Sequence, residues 1–220
     1  MWLQRFTENR RIPIALLALL VLAGCASGGP ARAPDSRSAS SQGEIAEGPQ
    51  SELAIPPQVR TLYEQAASAM AAGDFVDAEL RFKEFLLQYP NYPGAHVNLA
   101  IIHANNENNA AARSDLDAAL AINPSHPAAL NQLGMLLRRN GNFLEAEAAY
   151  LKAVTVNPDY ALAHYNLGVL NELYLQRLDV ALQHFETYQA LVGEDKQVEK
   201  WIADLRRRVA ANQRTAHVAD

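Results

Sequence analysis

A fixed spacing between prolines constrains the fold of this chain more than any other feature of its sequence. Pro90, Pro124 and Pro158 recur at a constant interval of 34 in the numbering (124 − 90 and 158 − 124). Proline lacks a backbone N–H and cannot continue a helix, so each of them marks the end of a helical unit. A constant period of this length indicates an array of helical repeats in which neighbouring units share one core.

Further columns of the sequence keep the same period. One column holds leucines that each precede a small residue, a second holds alanines and a third holds large apolar residues. In this order, the columns are Leu99, Leu133 and Leu167; Ala78, Ala112 and Ala146; and Phe82, Leu116 and Tyr150, with Phe185 as the fourth large residue. Each period therefore predicts one helix, a Gly or Asn turn and a second helix. Small residues such as Gly134 would let the two backbones approach closely, while the large column fills the space between neighbouring hairpins.

These columns resemble the tetratricopeptide repeat. The resemblance covers residues 59–193 and implies an all-α, right-handed superhelix of about four helical hairpins. The repeats that it implies are 59–92, 93–126, 127–160 and 161–193.

The fourth repeat departs from the pattern by one residue. The interval from Gly168 to Ala181 is 13 (181 − 168), whereas that from Gly134 to Ala146 is 12 (146 − 134), so one residue is inserted near 175–178. After this repeat, Glu194 and Asp195 can cap a further helix. We interpret the segment 194–212 as a helix that covers the end of the array, followed by a tail at 213–220.

The N-terminal segment has the pattern of a secretory signal. Arginines precede an uncharged stretch at 12–24 that is too short for a comfortable membrane span. The stretch ends in Leu-Ala-Gly-Cys at 22–25, which resembles a bacterial lipobox. The resemblance implies that residues 1–24 are a lipoprotein signal peptide, that cleavage precedes Cys25 and that Cys25 is acylated. An ordinary signal sequence with a chance cysteine is the alternative.

The residue that follows Cys25 indicates which of the two bacterial membranes would hold the anchor. Ala26 follows Cys25, and in lipoproteins of this kind an Asp at that position would retain the protein at the inner membrane, so the resemblance implies the outer membrane. Segment 25–58 is then predicted to be the lipidated cysteine and a disordered linker, because residues 26–52 contain 18 Ala, Gly, Ser or Pro among 27. The mature chain would face the periplasm from this anchor.

Charge and missing motifs exclude several classes of function. The net charge is −5, and removal of residues 1–24, with three Arg and one Glu, leaves −7, which disfavours nucleic-acid partners. No phosphate loop, nucleophile elbow or HExxH motif is present in the sequence. We therefore expect a protein that is not an enzyme and binds no cofactor and no metal.

Two histidines and four carboxylates leave a remote alternative, a metal-dependent enzyme. His96 and His103 are separated by an interval of seven (103 − 96) on one predicted helix, but no third ligand follows at useful spacing. Packing is the commoner role, because His96 shares its repeat column with His164. The carboxylates on the predicted second helices are expected to be solvated; they are Asp115, Asp117, Glu145 and Glu147.

The better candidate site is the concave face, which in the tetratricopeptide family is lined by the first helix of each hairpin; we call this surface the groove. Asn98, Gln132 and Asn166 recur there with the period of the prolines. Their amides could pair with the backbone of an extended peptide, or they could satisfy neighbouring repeats. The candidate partner-binding residues are Tyr63, Asn98, Asn131, Gln132, Met135, Arg138, Tyr165, Asn166 and Val169.

Together these features predict a non-enzymatic adaptor: an outer-membrane lipoprotein whose groove holds an envelope protein or an extended segment of one. Similar lipoproteins are pilotins that help assemble secretin pores for type IV pili or secretion. Others are accessories of cell-wall hydrolases or of energy-transducing envelope complexes. The sequence does not choose among these roles and leaves the oligomeric state open.

Overall fold

The computed structural model describes residues 56–219, without the side chains of Gln58 and residues 215–219. The predicted signal peptide at 1–24, the lipidation site Cys25 and nearly all of the linker lie outside the described residues. Their assignments therefore stay predictions.

The described chain is a succession of α-helices, and no strand forms within residues 56–219. The helices are α1 Pro57–Ala71, α2 Phe75–Gln88, α3 Pro93–Asn105, α4 Asn109–Ile122, α5 Pro127–Arg139, α6 Phe143–Val156, α7 Ala161–Leu170, α8 Leu178–Val192 and α9 Lys196–Ala219. Consecutive helices pack as four hairpins, α1 with α2 through α7 with α8, and α9 packs on α8. The predicted all-α superhelix of hairpins with a C-terminal capping helix is confirmed.

The ends of the helices follow from local sequence. α1, α3 and α5 each have proline in the first turn, where its missing N–H would have no partner in any case. α2 and α4 are capped by side chains, since Asp74 Oδ1 accepts from the backbone N–H of Asp77 at 3.0 Å and Asn108 Oδ1 accepts from that of Ala111 at 3.2 Å. The first three hairpins therefore start at positions that the sequence specifies, whereas α7 begins without a proline or a side-chain cap.

The turn inside three of the hairpins uses the left-handed backbone region. Gly73, Glu107 and Gly141 stand one repeat period apart (107 − 73 and 141 − 107) and have φ of 81°, 59° and 82°. Glycine adopts this conformation freely, whereas a residue with a Cβ is strained by about 1–2 kcal/mol. The second hairpin therefore carries backbone strain at Glu107 that the first and third do not.

The hairpin interior is built from rings that lie against glycines. A Cβ atom on Gly134 would come within 2.5 Å of Tyr150 Cε1, and one on Gly168 within 2.7 Å of Phe185 Cδ1. Both rings are fully buried. Tyr150 also packs with Leu167 of the next hairpin, so the large column fills the space between hairpins, as predicted, and the space inside them.

The inserted residue of the fourth repeat is absorbed by a change of helix type. α7 is followed by one turn of π-helix, Asn171–Leu175, and then by Gln176 in the left-handed region at φ 57°. The buried Asn171 donates from Nδ2 to the Leu167 carbonyl at 3.0 Å. The extra residue is thereby taken up between α7 and α8, and Ala181 and Phe185 return to the buried column.

α9 closes the array. Asp195 Oδ1 accepts from the backbone N–H of Val198 at 3.1 Å and begins the helix. Its apolar face, Val198, Ile202 and Leu205, is buried against Phe185 of α8. α9 continues to Ala219, beyond the predicted end at 212. Over the described part of the chain, none of the helices combines the length and the apolar character that a membrane crossing requires.

Candidate functional site

The first helices of the hairpins lie side by side, and three hydrogen bonds join them. Asn98 Nδ2 of α3 donates to the Tyr63 hydroxyl of α1 at 2.9 Å. Arg139 Nη1 of α5 donates to the Ala104 carbonyl of α3 at 2.6 Å. Asn166 Nδ2 of α7 donates to Asn131 Oδ1 of α5 at 2.9 Å. Together, α1, α3, α5 and α7 line the groove.

Two of the predicted partner-binding amides are occupied inside the protein. Asn131 is 1% exposed and Asn166 is 6% exposed, and they are bonded to each other across the α5–α7 interface. Asn131 Nδ2 also lies 3.8 Å from the sulfur of Met135. A buried amide without a partner is costly, so this pair holds neighbouring hairpins together. The expectation that these two side chains reach a partner is corrected: burial leaves them no access to one.

Asn98 and Tyr63 make the corresponding contact at the other end of the groove. Both are half-buried. The Tyr63 ring packs edge-on against Phe82, Phe85 and Tyr92, with centroids 5.5, 5.5 and 5.2 Å away. Tyr63 is therefore a structural ring of the first hairpin with one edge at the groove, and its hydroxyl is bonded to Asn98.

Gln132 differs from the other two amides of its column. The residue that would be its partner on α3 is Val97, 35 positions earlier (132 − 97), whose side chain has no polar atom. The Tyr63–Asn98 and Asn131–Asn166 pairs have the same separation of 35. Within residues 56–219 the Gln132 amide makes no hydrogen bond, and the residue is partly exposed. Among Asn98, Gln132 and Asn166, Gln132 is thus the residue whose amide remains available to a partner.

A small cavity lies beside Gln132, between α3 and α5. It has a volume of about 100 Å³, and its lining includes Ala100, Ala104, Asn105, Leu116, Gln132 and Arg139. Leu116 occupies the column that holds a ring at Phe82, Tyr150 and Phe185. The smaller side chain leaves space that a ring fills elsewhere. The cavity was not predicted, although the interruption of the aromatic column at Leu116 is a sequence signal that could have located it.

Aromatic packing lines the C-terminal third of the groove. The Tyr165 ring lies 5.3 Å from Tyr188, 6.0 Å from Phe185 and 6.1 Å from Trp201, centroid to centroid. Val169 packs against the same cluster. Burial raises the pKa of Tyr165 above its ordinary value. These two predicted groove residues therefore serve the junction with α8 and α9 as well as the groove.

The remaining predicted residues lie at the middle of the groove. Met135 lines the cavity and packs against the cluster around Tyr150. Arg138 is half-buried, and its positive charge acts on the phenols of Tyr150 and Tyr165, whose pKa values it lowers slightly against the larger effect of burial. Burial raises the pKa of Tyr150 to about 12. Gln132 and Arg138 remain candidates for direct contact with a partner.

The histidines of α3 form a hydrogen-bonded cluster with carboxylates of two other helices. His103 Nδ1 lies 2.8 Å from Asp115 Oδ2, His103 Nε2 lies 3.4 Å from Glu79 Oε1, and His96 Nδ1 lies 3.5 Å from Asp115 Oδ1. The Asp115 side chain is only 17% exposed, so the expectation that it is solvated is wrong. In the described part of the chain, no three His, Cys, Asp or Glu side chains are placed to hold a metal ion.

The other three carboxylates of the second helices differ in their exposure to solvent. Glu147 is largely buried and accepts from Arg177 Nη1 at 2.8 Å, so the expectation of solvation is wrong for this residue too. Asp117 and Glu145 are exposed, as expected.

A second histidine pair lies at the base of α7. His164 Nε2 donates to the Pro158 carbonyl at 3.0 Å, since a carbonyl can only accept. When the His164 ring is neutral, its Nδ1 accepts from His184 Nδ1 at 3.1 Å. Burial, and after it the charge of His164, lowers the pKa of His184 to about 4. The packing role predicted for the histidine column holds at His164, which is buried.

Comparisons with known proteins agree with this architecture. The family model described as tetratricopeptide repeat matches residues 63–127 and 131–196. No curated protein matches the chain. Among solved structures, pilF of Pseudomonas aeruginosa is similar at 24% identity and a TM-score of 0.62, with 70% of this chain and 72% of that one covered.

Two further structures show the same fold. MamA of Desulfovibrio magneticus RS-1 is 19% identical with a TM-score of 0.57, over 74% of this chain and 92% of that one. TTC0263, a thermophilic protein of Thermus thermophilus, is 22% identical with a TM-score of 0.59, over 68% of this chain and 82% of that one. At these identities the likeness concerns the fold.

Proposed function

Because the chain belongs to the tetratricopeptide repeat family, we propose that it is a non-enzymatic adaptor that holds an extended segment of an envelope protein in its groove while anchored to the outer membrane through Cys25. The family's architecture is a scaffold for protein–protein interaction. The observation that carries the proposal for this chain is the middle of the groove, where Gln132 has no hydrogen bond within the described residues and a cavity opens beside it.

The groove offers a mixed surface there. The Gln132 amide presents both a donor and an acceptor, which is what the backbone of an extended peptide requires. Arg138 and Arg139 add positive charge, and no carboxylate of residues 56–219 lies within salt-bridge distance of either. Apolar contact, backbone pairing and charge are thus available within about two turns of α5.

The anchor is supported by the sequence alone. The uncharged stretch at 12–24 leads into Leu-Ala-Gly-Cys at 22–25, and Cys25 is the single cysteine. Multiple acyl chains on that residue would hold the protein stably at a membrane, whereas one chain would be marginal. With the linker that follows, the repeat domain would work on the periplasmic side of the outer membrane.

Site-specific photo-crosslinking in cells tests the groove. A photoreactive amino acid replaces Gln132 in the groove, and the matched control carries it at Ser114, which is exposed on α4, a second helix. We expect a crosslinked envelope protein from position 132 and not from position 114. Crosslinks from Ser114 alone would place the binding surface on the second helices and contradict the proposal.

The crosslinked proteins also separate the possible roles. A pilotin would give one secretin, and a scaffold of cell-wall hydrolases would give several enzymes. A crosslink to a component of an energy-transducing envelope complex would assign the third role.

A single substitution tests the anchor. Cys25→Ser removes the acylated sulfur, so the protein should leave the membrane fraction while it keeps its helical circular dichroism. If the variant stays in the membrane fraction, acylation at Cys25 is not what anchors the protein.

A further inference from the structure

We infer that the cavity between α3 and α5 is a specificity pocket for one aliphatic side chain of an extended peptide, with an acidic side chain of the same peptide paired to Arg139. This inference rests on the proposed function, because it names the chemistry of the segment that the groove would hold. It depends on three features of the second and third hairpins: a missing ring, an unpaired amide and an unpaired cation.

The missing ring creates the space. In the third and fourth hairpins, Tyr150 and Phe185 lie against Gly134 and Gly168 and leave no gap. In the second hairpin the same two columns hold Leu116 and Ala100, and both of these line the cavity. The cavity is therefore specific to the second hairpin. The repeat pattern does not by itself produce such a cavity at every junction of the array.

The size and lining of the cavity select its occupant. A volume of about 100 Å³ is smaller than the engineered cavity of about 150 Å³ that holds benzene. A branched aliphatic group such as the side chain of Val, Leu or Ile fits this space, whereas an indole does not. The inner wall is apolar, from Ala100, Ala112 and Leu116, so a polar side chain would lose its water there without gaining a partner.

The unpaired amide lies at the rim. Gln132 lines the cavity, and Val97, the residue that would pair with it, cannot accept a hydrogen bond. Because the equivalent amides of Asn98 and Asn166 are used between repeats, Gln132 is the one of the three whose donor and acceptor can both reach a bound backbone. A peptide whose side chain enters the cavity brings its own backbone past this amide.

The unpaired cation gives the charge preference. Arg139 lines the cavity and is exposed. Its bond from Nη1 to the Ala104 carbonyl fixes the guanidinium across the α3–α5 junction and uses one of its five N–H donors. Among the residues that the structure describes, no carboxylate lies within 4.0 Å of it to neutralise the charge. A carboxylate next to the aliphatic side chain would complete a charge-assisted hydrogen bond with the free donors.

Defined peptides provide the test. The probes are acetylated and amidated nine-residue peptides of Gly and Ser with Leu-Glu, Ala-Glu, Trp-Glu or Leu-Lys at the centre, so that the only carboxylate is a side chain. They are titrated into full-length protein in a mild detergent, and binding is followed by amide NMR shifts. We expect the Leu-Glu peptide to bind at least about tenfold more tightly than the other three. Equal affinities for all four would overturn the inference.

Two protein variants locate the effect. The double variant Ala100→Gly, Leu116→Phe copies the Gly168–Phe185 pair and fills the cavity, so the preference for Leu over Ala should disappear. Arg139→Gln should remove the preference for Glu over Lys and leave that for Leu over Ala. The matched control is Lys152→Gln, an exposed cation on α6, which should change neither. If the double variant unfolds, Ala104→Leu narrows the cavity from α3 instead.

The outcome separates this inference from the function on which it rests. If Gln132 crosslinks an envelope protein and the filled-cavity variant binds the Leu-Glu peptide as tightly as the unaltered protein, the groove is correct and the pocket is wrong. If the peptide preferences hold but no crosslink forms at Gln132 in cells, the pocket is real and the proposed function fails.

Discussion

The ring of Tyr150 lies against the backbone of Gly134, so close that a Cβ atom there would come within 2.5 Å of Cε1. Tyr150 is fully buried and packs as well on Leu167 of the following hairpin. One contact thus sets both the distance between α5 and α6 and the fit of the next repeat.

Gly134→Ala should therefore destabilise the protein. In an open helix this change stabilises by up to about 1 kcal/mol, but here the added methyl meets a ring that cannot move aside. We expect a net loss of about 1–3 kcal/mol in the free energy of unfolding, measured by urea denaturation.

The second hairpin supplies a matched rescue for this variant. Ala100 and Leu116 occupy the same columns as Gly134 and Tyr150. Gly134→Ala combined with Tyr150→Leu should therefore regain part of the loss. A double variant no more stable than Gly134→Ala would mean that the ring contact does not limit the approach of α5 and α6.

Glu107→Gly should stabilise the protein. Glu107 holds φ of 59° at the position where the first and third hairpins have Gly73 and Gly141. Relief of the left-handed strain, less the entropy that glycine loses on folding, should add about 0.5–1 kcal/mol. Thermal unfolding measures the gain. Glu107→Ala is the control, since alanine keeps the strain and should give no such increase.

Asn166→Leu and Gln132→Leu should separate structure from binding. The first leaves the buried amide of Asn131 without its partner and should lower the free energy of unfolding by about 1–3 kcal/mol. The second removes an amide with no partner among the described residues and should change stability by less than about 0.5 kcal/mol. Chemical denaturation of both variants checks this. Similar losses in the two would assign Gln132 a structural role.

Acidification should destabilise the fourth hairpin through His184. The unfolded residue binds a proton below its ordinary pKa of 6.5, whereas burial lowers the folded pKa to about 4. Between these values the unfolded chain binds more protons, so stability falls as the pH drops from 6.5 towards 4. From pH 7 to pH 5 the loss should be about 1–2 kcal/mol.

The test is the pH dependence of the melting temperature in His184→Asn. Asparagine can still donate to His164 Nδ1 but cannot take up a proton in this range. The variant should show a shallower fall in melting temperature between pH 7 and pH 5. A slope equal to that of the unaltered protein would assign the pH dependence to other groups.

Most of the architecture could be predicted because the repeat columns report directly on packing. The constant period of the prolines located the hairpins, and the count from Gly168 to Ala181 revealed the inserted residue. How that residue would be absorbed was not predictable. The π-turn at Asn171–Leu175 comes with a bond from the buried Asn171 to the Leu167 carbonyl, and the spacing of the repeat columns does not specify this helix type.

The site was predicted less well than the fold, since sequence columns place a side chain on a face but do not reveal its partner. Asn98, Gln132 and Asn166 share a column and an amide group. Whether each amide has a hydrogen-bond partner depends on the residue 35 positions earlier, which is Tyr63, Val97 or Asn131, respectively. Asp115 was expected in solvent for the same reason: its contact with His103 crosses from α4 to α3.

α9 has a consequence for how the array could evolve. In a stack of similar units, each unit offers the next one the surface that it received from the last, so nothing in the stack itself fixes the number of units. Val198, Ile202 and Leu205 occupy that surface on the fourth hairpin. Duplication of a repeat is therefore accommodated between existing hairpins, while an addition after Val192 would first have to displace α9. By covering the last stacking surface, α9 limits the number of hairpins and therefore the length of the groove.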